Sequence, residues 1–209
     1  QRIIGNRVLM VSGSDQHGTP ITLRAEQEGV TPDKIAKTFH NEFLKCWKTL
    51  GITYDLYTTT GTKNHESIVH DIFNKLKKKN LIFTKIVNQP YCESCEKFLP
   101  DRYVEGECPV CANPQARGDQ CDNCGKLLAP EELIKAQCKL CTSPFKFRES
   151  THFFLKLSHF SSELLKWVDK QEHWRTNVKN FTFQYIKDGL KDRAISRDIN
   201  WGIKIPVSG

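Results

Sequence analysis

Four Cys-x-x-Cys pairs, Cys92/Cys95, Cys108/Cys111, Cys121/Cys124 and Cys138/Cys141, crowd into the middle of this 209-residue chain. Two intervening residues let both thiolates of a pair turn onto one ion. Four pairs therefore supply ligands for two closed tetrahedral zinc sites of four thiolates each. Closed sites of this kind stabilise a fold and leave no position open for catalysis. They predict a metal-stapled module inside a larger protein and are silent on its activity.

Disulfides and an iron–sulfur cluster are the competing uses of these residues. A disulfide scaffold is usually a short secreted chain with cysteines spread through it. Here the only cysteine outside the pairs is Cys46, and no signal peptide or transmembrane run is present, which points to a reducing cytosol. Iron–sulfur ligation favours other spacings. Cys46 lies on an apolar helical face and reads as a small core residue. The pairs could share metals sequentially, first with second and third with fourth, or in a nested scheme with the two inner pairs on one ion. The inner gap is the shortest and carries Asn113, Pro114, Gly118 and Asp119, so closing a loop there costs least. Spacing alone leaves both schemes open.

The composition is that of a soluble globular protein, and a net charge of +7 is compatible with an anionic partner, although many soluble proteins are mildly basic. The run Lys77-Lys78-Lys79 falls at a predicted helix end, where cations complement the macrodipole, and reads as a solvated terminus.

The segment before the cysteines reads as α/β. Val8-Leu9-Met10-Val11 is a short apolar run, as expected of a strand buried on both faces of a parallel sheet. It leads into the polar loop Ser12-Gly13-Ser14-Asp15-Gln16-His17-Gly18. Thr31-Pro32 starts a helix whose apolar residues Ile35, Phe39, Phe43, Cys46, Trp47 and Leu50 recur at helical spacing until Gly51. A second helix spans about 64–80. Residues 87–150 have few large apolar side chains and need metal to fold. A strand over 151–157 and helices at about 161–170 and 177–190 follow.

Ligands of open α/β sheets bind outside the carboxyl ends of the strands. Asp15 and His17 sit there, and a carboxylate at that spot suits a substrate ammonium group or an arginine that it orients. Asp15 as a turn cap and His17 as a packed ring are the plainer uses of the same residues. Arg197, between Ser196 and Asp198, is a candidate partner, or otherwise part of a surface ion pair worth little. The chain has no Gly-x-x-x-x-Gly-Lys-Ser/Thr phosphate loop and no Gly-x-Gly-x-x-Gly fingerprint.

Taken in order, several stretches resemble methionyl-tRNA synthetase, a class I aminoacyl-tRNA synthetase family. They are Ser12–Ile21, Thr58-Thr59 to His65-Glu66, the cysteine pairs, Phe98-Leu99-Pro100-Asp101-Arg102, His152-Phe153-Phe154 and Ala194-Ile195-Ser196-Arg197-Asp198. Gly18-Thr19-Pro20, where the isoleucyl, valyl and leucyl families carry Gly-Leu-Pro, separates the neighbours. So does Asp198, where the isoleucyl and valyl families carry Gln.

The resemblance implies a Rossmann-type nucleotide-binding fold split by a zinc-knuckle connective-peptide insertion. Residues 1–84 would be part of the first Rossmann half and 85–203 the insertion, with knuckles at about 87–150. Residues 204–209 would start the return. It implies ATP-dependent activation of methionine to methionyl-adenylate and transfer to the 3′ end of its tRNA in the cytoplasm. Asp15 matches the acidic residue that supports amino-acid and adenylate binding, and Arg197 the arginine acting with it. Cys108/Cys111/Cys121/Cys124 and Cys92/Cys95/Cys138/Cys141 match the ligands of two nested zinc ions. The family's His-Ile-Gly-His and Lys-Met-Ser-Lys-Ser motifs, which handle ATP, are absent from these residues, so the expectation is an internal fragment inactive alone. A free-standing zinc-knuckle RNA-binding module is the alternative, but it would have no need of the α/β segment.

Overall fold

The computed structural model describes residues 1–207, with Asp101 described by its backbone alone; Ser208 and Gly209, the end of the 204–209 segment, lie outside the described residues. The chain divides into two compact units. The first is Gln1–His70, Gln89–Arg148 and Asp198–Lys204; the second is Asp71–Asn88, Glu149–Arg197 and the chain from Ile205 onward.

In the first unit, β1 (Val11–Ser14) and β2 (Leu56–Thr59) pair in parallel, with Val11 opposite Leu56 and Ser14 opposite Thr59. The strand expected at residues 8–11 is therefore displaced toward the loop. Asp55 explains the shift: its carboxylate accepts the Met10 N–H at 2.7 Å, while its own N–H donates to the Met10 carbonyl at 2.9 Å. The ladder begins only after this clamp. Burial on both faces is also corrected, since Val11 and Leu56 are both more than half exposed. With only two strands, this sheet of the described residues covers little apolar surface.

Between the strands lie α1 (Thr19–Glu28) and α2 (Pro32–Thr49). Helix α1 was not anticipated from periodicity, yet it carries the usual punctuation: Pro20 in its first turn and Gly29, in a left-handed conformation, after its last. Helix α2 starts as expected, with the Thr31 side chain accepting the Lys34 N–H, and it buries Ile35 and Ala36. Cys46 is exposed rather than in the core. Its neighbour Trp47 is the half-buried one, packing edge-on against Tyr54 and Tyr57. Helix α3 (Lys63–Lys78) runs from the first unit into the second.

The cysteine-rich part of the first unit is held by short strands. β3 (Ile82–Cys92) pairs at its end with β4 (Lys97–Phe98). β5 (Val104–Glu107) is flanked antiparallel by β6 (Ala116–Arg117) and β7 (Ile134–Cys138). One cluster of buried residues runs through them: Leu99, Tyr103, Val104, Ala116, Leu128 and Leu133, together with Cys92, Cys108, Cys121 and Cys138. The module has little other apolar core, as its composition foretold.

β8 (Lys146–Leu155) runs from the first unit into the second, where it pairs antiparallel with β9 (Arg193–Ala194), and α4 (Ser161–Asp169) packs on α5 (Thr176–Lys187). Phe153 meets Phe73 edge-on, and Phe154 lies against Phe83. Val168, Ile186 and His152 are buried.

Candidate metal centres and the Asp15 loop

All four cysteine pairs adopt one local geometry. The first cysteine, residue i, pairs with the backbone of residue i+5: Cys92 with Lys97, Cys108 with Asn113, Cys121 with Lys126 and Cys138 with Ser143. The residue after the second cysteine is left-handed in every case, at φ 51° for Glu96, 54° for Ala112, 74° for Gly125 and 58° for Thr142. This tight turn points both sulfurs of a pair to the same side. The first cysteine of each pair sits in the buried cluster and the second nearer solvent.

The sulfurs assemble in two groups, Cys92/Cys95/Cys138/Cys141 and Cys108/Cys111/Cys121/Cys124, with all four Sγ atoms of a group within 4.8 Å of one another. The nested arrangement is thus the one the fold adopts. Sγ separations are 3.5 Å for Cys92–Cys141, 3.9 Å for Cys95–Cys138, 3.8 Å for Cys108–Cys124 and 3.6 Å for Cys111–Cys121. A disulfide would require about 2.05 Å. Four sulfurs placed tetrahedrally at about 2.3 Å from a central ion lie roughly 3.8 Å apart.

The surroundings also favour thiolate. Asn113 donates its side-chain amide to Cys121 Sγ at 3.6 Å, and Asn123 to Cys111 Sγ at 3.5 Å. Backbone N–H groups, first that of Cys124, draw the Cys121 thiol down to about 6, and Ser143 does the same for Cys141. Burial pushes Cys95 and Cys138 the other way. The Cys92/Cys95/Cys138/Cys141 group thus mixes a thiol that ionises readily with thiols that resist, and full ionisation of all four needs a cation among them. The donor set fits a metal ion in each group. It leaves no fifth side chain of the described residues poised for catalysis there.

The second candidate lies at the carboxyl ends of β1 and β2. Asp15 Oδ1 accepts the His17 N–H and the Thr60 hydroxyl, each at 3.2 Å, and Thr60 Oγ1 in turn accepts the Gln16 N–H at 2.8 Å. The Thr60 N–H donates to the Ser14 carbonyl at 3.1 Å. Ser14, buried beside Asp15, lies with its hydroxyl 2.8 Å from His40 Nδ1 of α2. The Trp201 indole N–H donates to the Gln16 carbonyl, and the Trp201 ring stands edge-on to His17 at 5.5 Å. The loop is therefore pinned from three sides, while the second Asp15 oxygen has no hydrogen bond from the loop itself. Thr60, His40 and Trp201 were not singled out from sequence. Thr60 had a readable signal, because it directly follows β2, the strand parallel to the one preceding Asp15.

Arg197 belongs to the second unit and Asp15 to the first. The Arg197 guanidinium donates to the carbonyls of Ser196 at 2.9 Å and Ala194 at 3.3 Å, folding back over its own segment. That segment is fixed by Ser196, whose hydroxyl accepts the Phe153 N–H, and by the Ile195 N–H, which donates to the Phe153 carbonyl at 2.8 Å.

Comparison with known proteins gives a consistent picture. A family model described as tRNA synthetases class I (M) matches residues 1–209. Methionine–tRNA ligase of Dehalococcoides mccartyi is 55% identical over 208 residues, covering 100% of this chain and 38% of the relative. That of Thermomicrobium roseum is 53% identical over 208 residues, covering 100% of this chain and 36% of the relative, and that of Thermoplasma volcanium is 47% identical over 208 residues, covering 100% and 38%. The chain thus spans little more than a third of the length of these relatives. Among solved structures, Mycobacterium tuberculosis methionyl-tRNA synthetase in complex with methionyl-adenylate superposes with a TM-score of 0.68 at 18% identity, over 98% of this chain and 36% of that one. The latter likeness establishes a shared fold.

Proposed function

The chain belongs to the family of tRNA synthetases class I (M), and on that premise we propose that it serves methionine–tRNA ligation. The reaction is ATP-dependent activation of methionine to methionyl-adenylate, then transfer of the acyl group to the 3′ end of the tRNA for methionine in the cytoplasm. The single observation that carries this reading is the identity of 55% over the whole chain to a methionine–tRNA ligase. Residues 1–84 are assigned to the first Rossmann half, 85–203 to the connective-peptide insertion and 204–209 to the return into the catalytic domain.

Within that reaction, Asp15 supplies a carboxylate for the methionine ammonium group and for the adenylate that forms. Its hydrogen bonds with Thr60 and His17 hold its orientation. Arg197 supplies a fixed positive charge to the same step, oriented by Ser196 and Ala194. Both groups of four cysteines are read as zinc sites, held by Cys92/Cys95/Cys138/Cys141 and Cys108/Cys111/Cys121/Cys124. Zinc there supplies folding energy to a module with a small apolar core and takes no part in the chemistry.

Methionine-dependent ATP–pyrophosphate exchange tests the reading. The intact protein, carrying ATP-handling segments absent from these residues, should catalyse it, and Asp15→Asn should lower kcat/KM for methionine at least about tenfold. No exchange by the intact protein would overturn the assignment. The isolated 209-residue chain should be silent. Metal analysis should find about two zinc ions per chain; a value near one would remove one site.

A further inference from the structure

Tyr103 joins the cysteine module to α1, the helix that follows the Asp15 loop. Its backbone carbonyl accepts the N–H of Lys139, the residue directly after the ligand Cys138, at 2.8 Å. Its ring is buried in the cluster that contains Cys92, Cys108, Cys121 and Cys138. Its hydroxyl leaves that cluster and donates to Thr22 Oγ1 of α1 at 2.8 Å, with Glu26 one turn on at 3.4 Å. Glu26 also pairs with Lys97 at 3.0 Å, two residues beyond the ligand Cys95.

Helix α1 transmits this hold in one turn. The Thr22 N–H donates to the carbonyl of Gly18, the N-cap residue, at 3.4 Å, and the Ile21 N–H donates to the same oxygen at 3.0 Å. Gly18 follows His17, whose N–H is bonded to Asp15 Oδ1. Leu23, on the neighbouring face of α1, packs against the module core. Every member of this series lies in the first compact unit. Thr22 is itself buried, and its hydroxyl donates in turn to the Thr19 carbonyl at 3.0 Å, which orients its oxygen toward the phenol.

We propose that Tyr103 is a positioning residue that makes the placement of α1, and through it of the Asp15 loop, dependent on metal occupancy of the cysteine module. When the ions are removed, the cluster around Tyr103 loosens, and α1 loses its buried anchor along with it. The consequence for the reaction rests on the reading of Asp15 as an amino-acid-binding carboxylate. The coupling itself does not.

Hydrogen exchange on the intact protein tests it, with and without a zinc chelator, in the parent and in Tyr103→Phe and Thr22→Val. Chelation should speed exchange in both 92–141 and 15–28 of the parent. Tyr103→Phe, which keeps the ring and removes the hydroxyl, should raise exchange over 15–28 about fivefold with zinc bound while leaving 92–141 protected. Thr22→Val should do the same, and the double variant should be no worse than either single one. Acceleration confined to 92–141 on chelation, or unchanged exchange over 15–28 in both single variants, overturns the coupling. In the exchange assay, Tyr103→Phe should raise KM for methionine several-fold with kcat little altered. An unchanged KM alongside faster exchange at 15–28 overturns the positioning of Asp15. A parent without methionine-dependent activity refutes the functional reading instead, and hydrogen exchange still decides the coupling.

Discussion

Ser196 Oγ lies 2.9 Å from His152 Nδ1 and accepts the backbone N–H of the next residue, Phe153, also at 2.9 Å. One hydroxyl thereby joins two stretches that stand far apart in the sequence, and it does so beside a histidine that is 2% exposed. Replacing Ser196 by Ala withdraws a partner from the buried His152 ring and the half-buried Phe153 N–H at once. The expected cost is about 1–3 kcal/mol of stability, read as a lowered unfolding midpoint. The Phe153 amide, specifically, should exchange faster. Ser196→Thr, which keeps the hydroxyl, should recover most of the protection; equal exchange in the parent and the Ala variant would show that the bond contributes nothing.

Gly13 marks a second constraint, in the strand leading to Asp15. A Cβ there would stand 2.7 Å from the Thr58 carbonyl oxygen, closer than two such atoms approach without the strands parting. Gly13→Ala is expected to push β1 off β2 and to disturb the Thr60–Asp15 contact two residues on. Stability should fall by about 1–3 kcal/mol, and methionine-dependent exchange should fall with it. A variant with full activity and an unchanged midpoint would show that the strand pair yields freely.

Much of this architecture is legible in the chain because short-range chemistry dictates it. Thr31-Pro32 starts α2 since a threonine oxygen and a proline suit the first turn, and the Cys-x-x-Cys spacing fixes each knuckle locally. Long-range choices were not legible. The nested pairing of knuckles, which the short inner gap allows without excluding the sequential one and which the resemblance implies, is set by where the strands place them. The strand at Val8–Val11 shifted because a distant carboxylate, Asp55, competes for the Met10 backbone. Cys46 and Trp47 stand on adjacent helical positions, and only the neighbouring tyrosines decide which turns inward. Helix α1 escaped because its mixed composition gives weak periodicity, although Pro20 and Gly29 bracket it.

The four left-handed turns of the knuckles allow a comparison within one molecule. Only Gly125 has a residue type that favours its conformation; Glu96, Ala112 and Thr142 adopt it against the usual steric preference. Gly125→Ala should cost about 1 kcal/mol, measured as reduced stability or weaker zinc retention against a chelator. Thr142→Gly relieves strain at a β-branched residue, offset by the greater freedom glycine gains on unfolding, and should fall near neutral or slightly stabilising. A marked loss in the Thr142 variant would mean that its side chain contributes more than its backbone strain costs.

Burial pushes the Tyr103 phenol up to about 12, with the Thr22 hydrogen bond acting in the opposite direction. The sign of the consequence follows from proton counts. Below pH about 10, folded and unfolded chains both hold the phenolic proton, and the contribution of Tyr103 is fully present. Between about 10 and 12 the unfolded chain loses that proton while the folded chain keeps it, so stability falls as pH rises. The slope is at most about 1.4 kcal/mol per pH unit for one group. Lysines and thiols elsewhere also titrate in this range, which makes Tyr103→Phe the necessary reference, because the variant shares every other group. The stability difference between the parent and Tyr103→Phe, from urea unfolding at a series of pH values, should be constant up to about pH 10 and shrink above it. A difference that stayed level through that window would mean that Tyr103 ionises as readily in the folded protein as in the unfolded chain, contrary to its burial against α1.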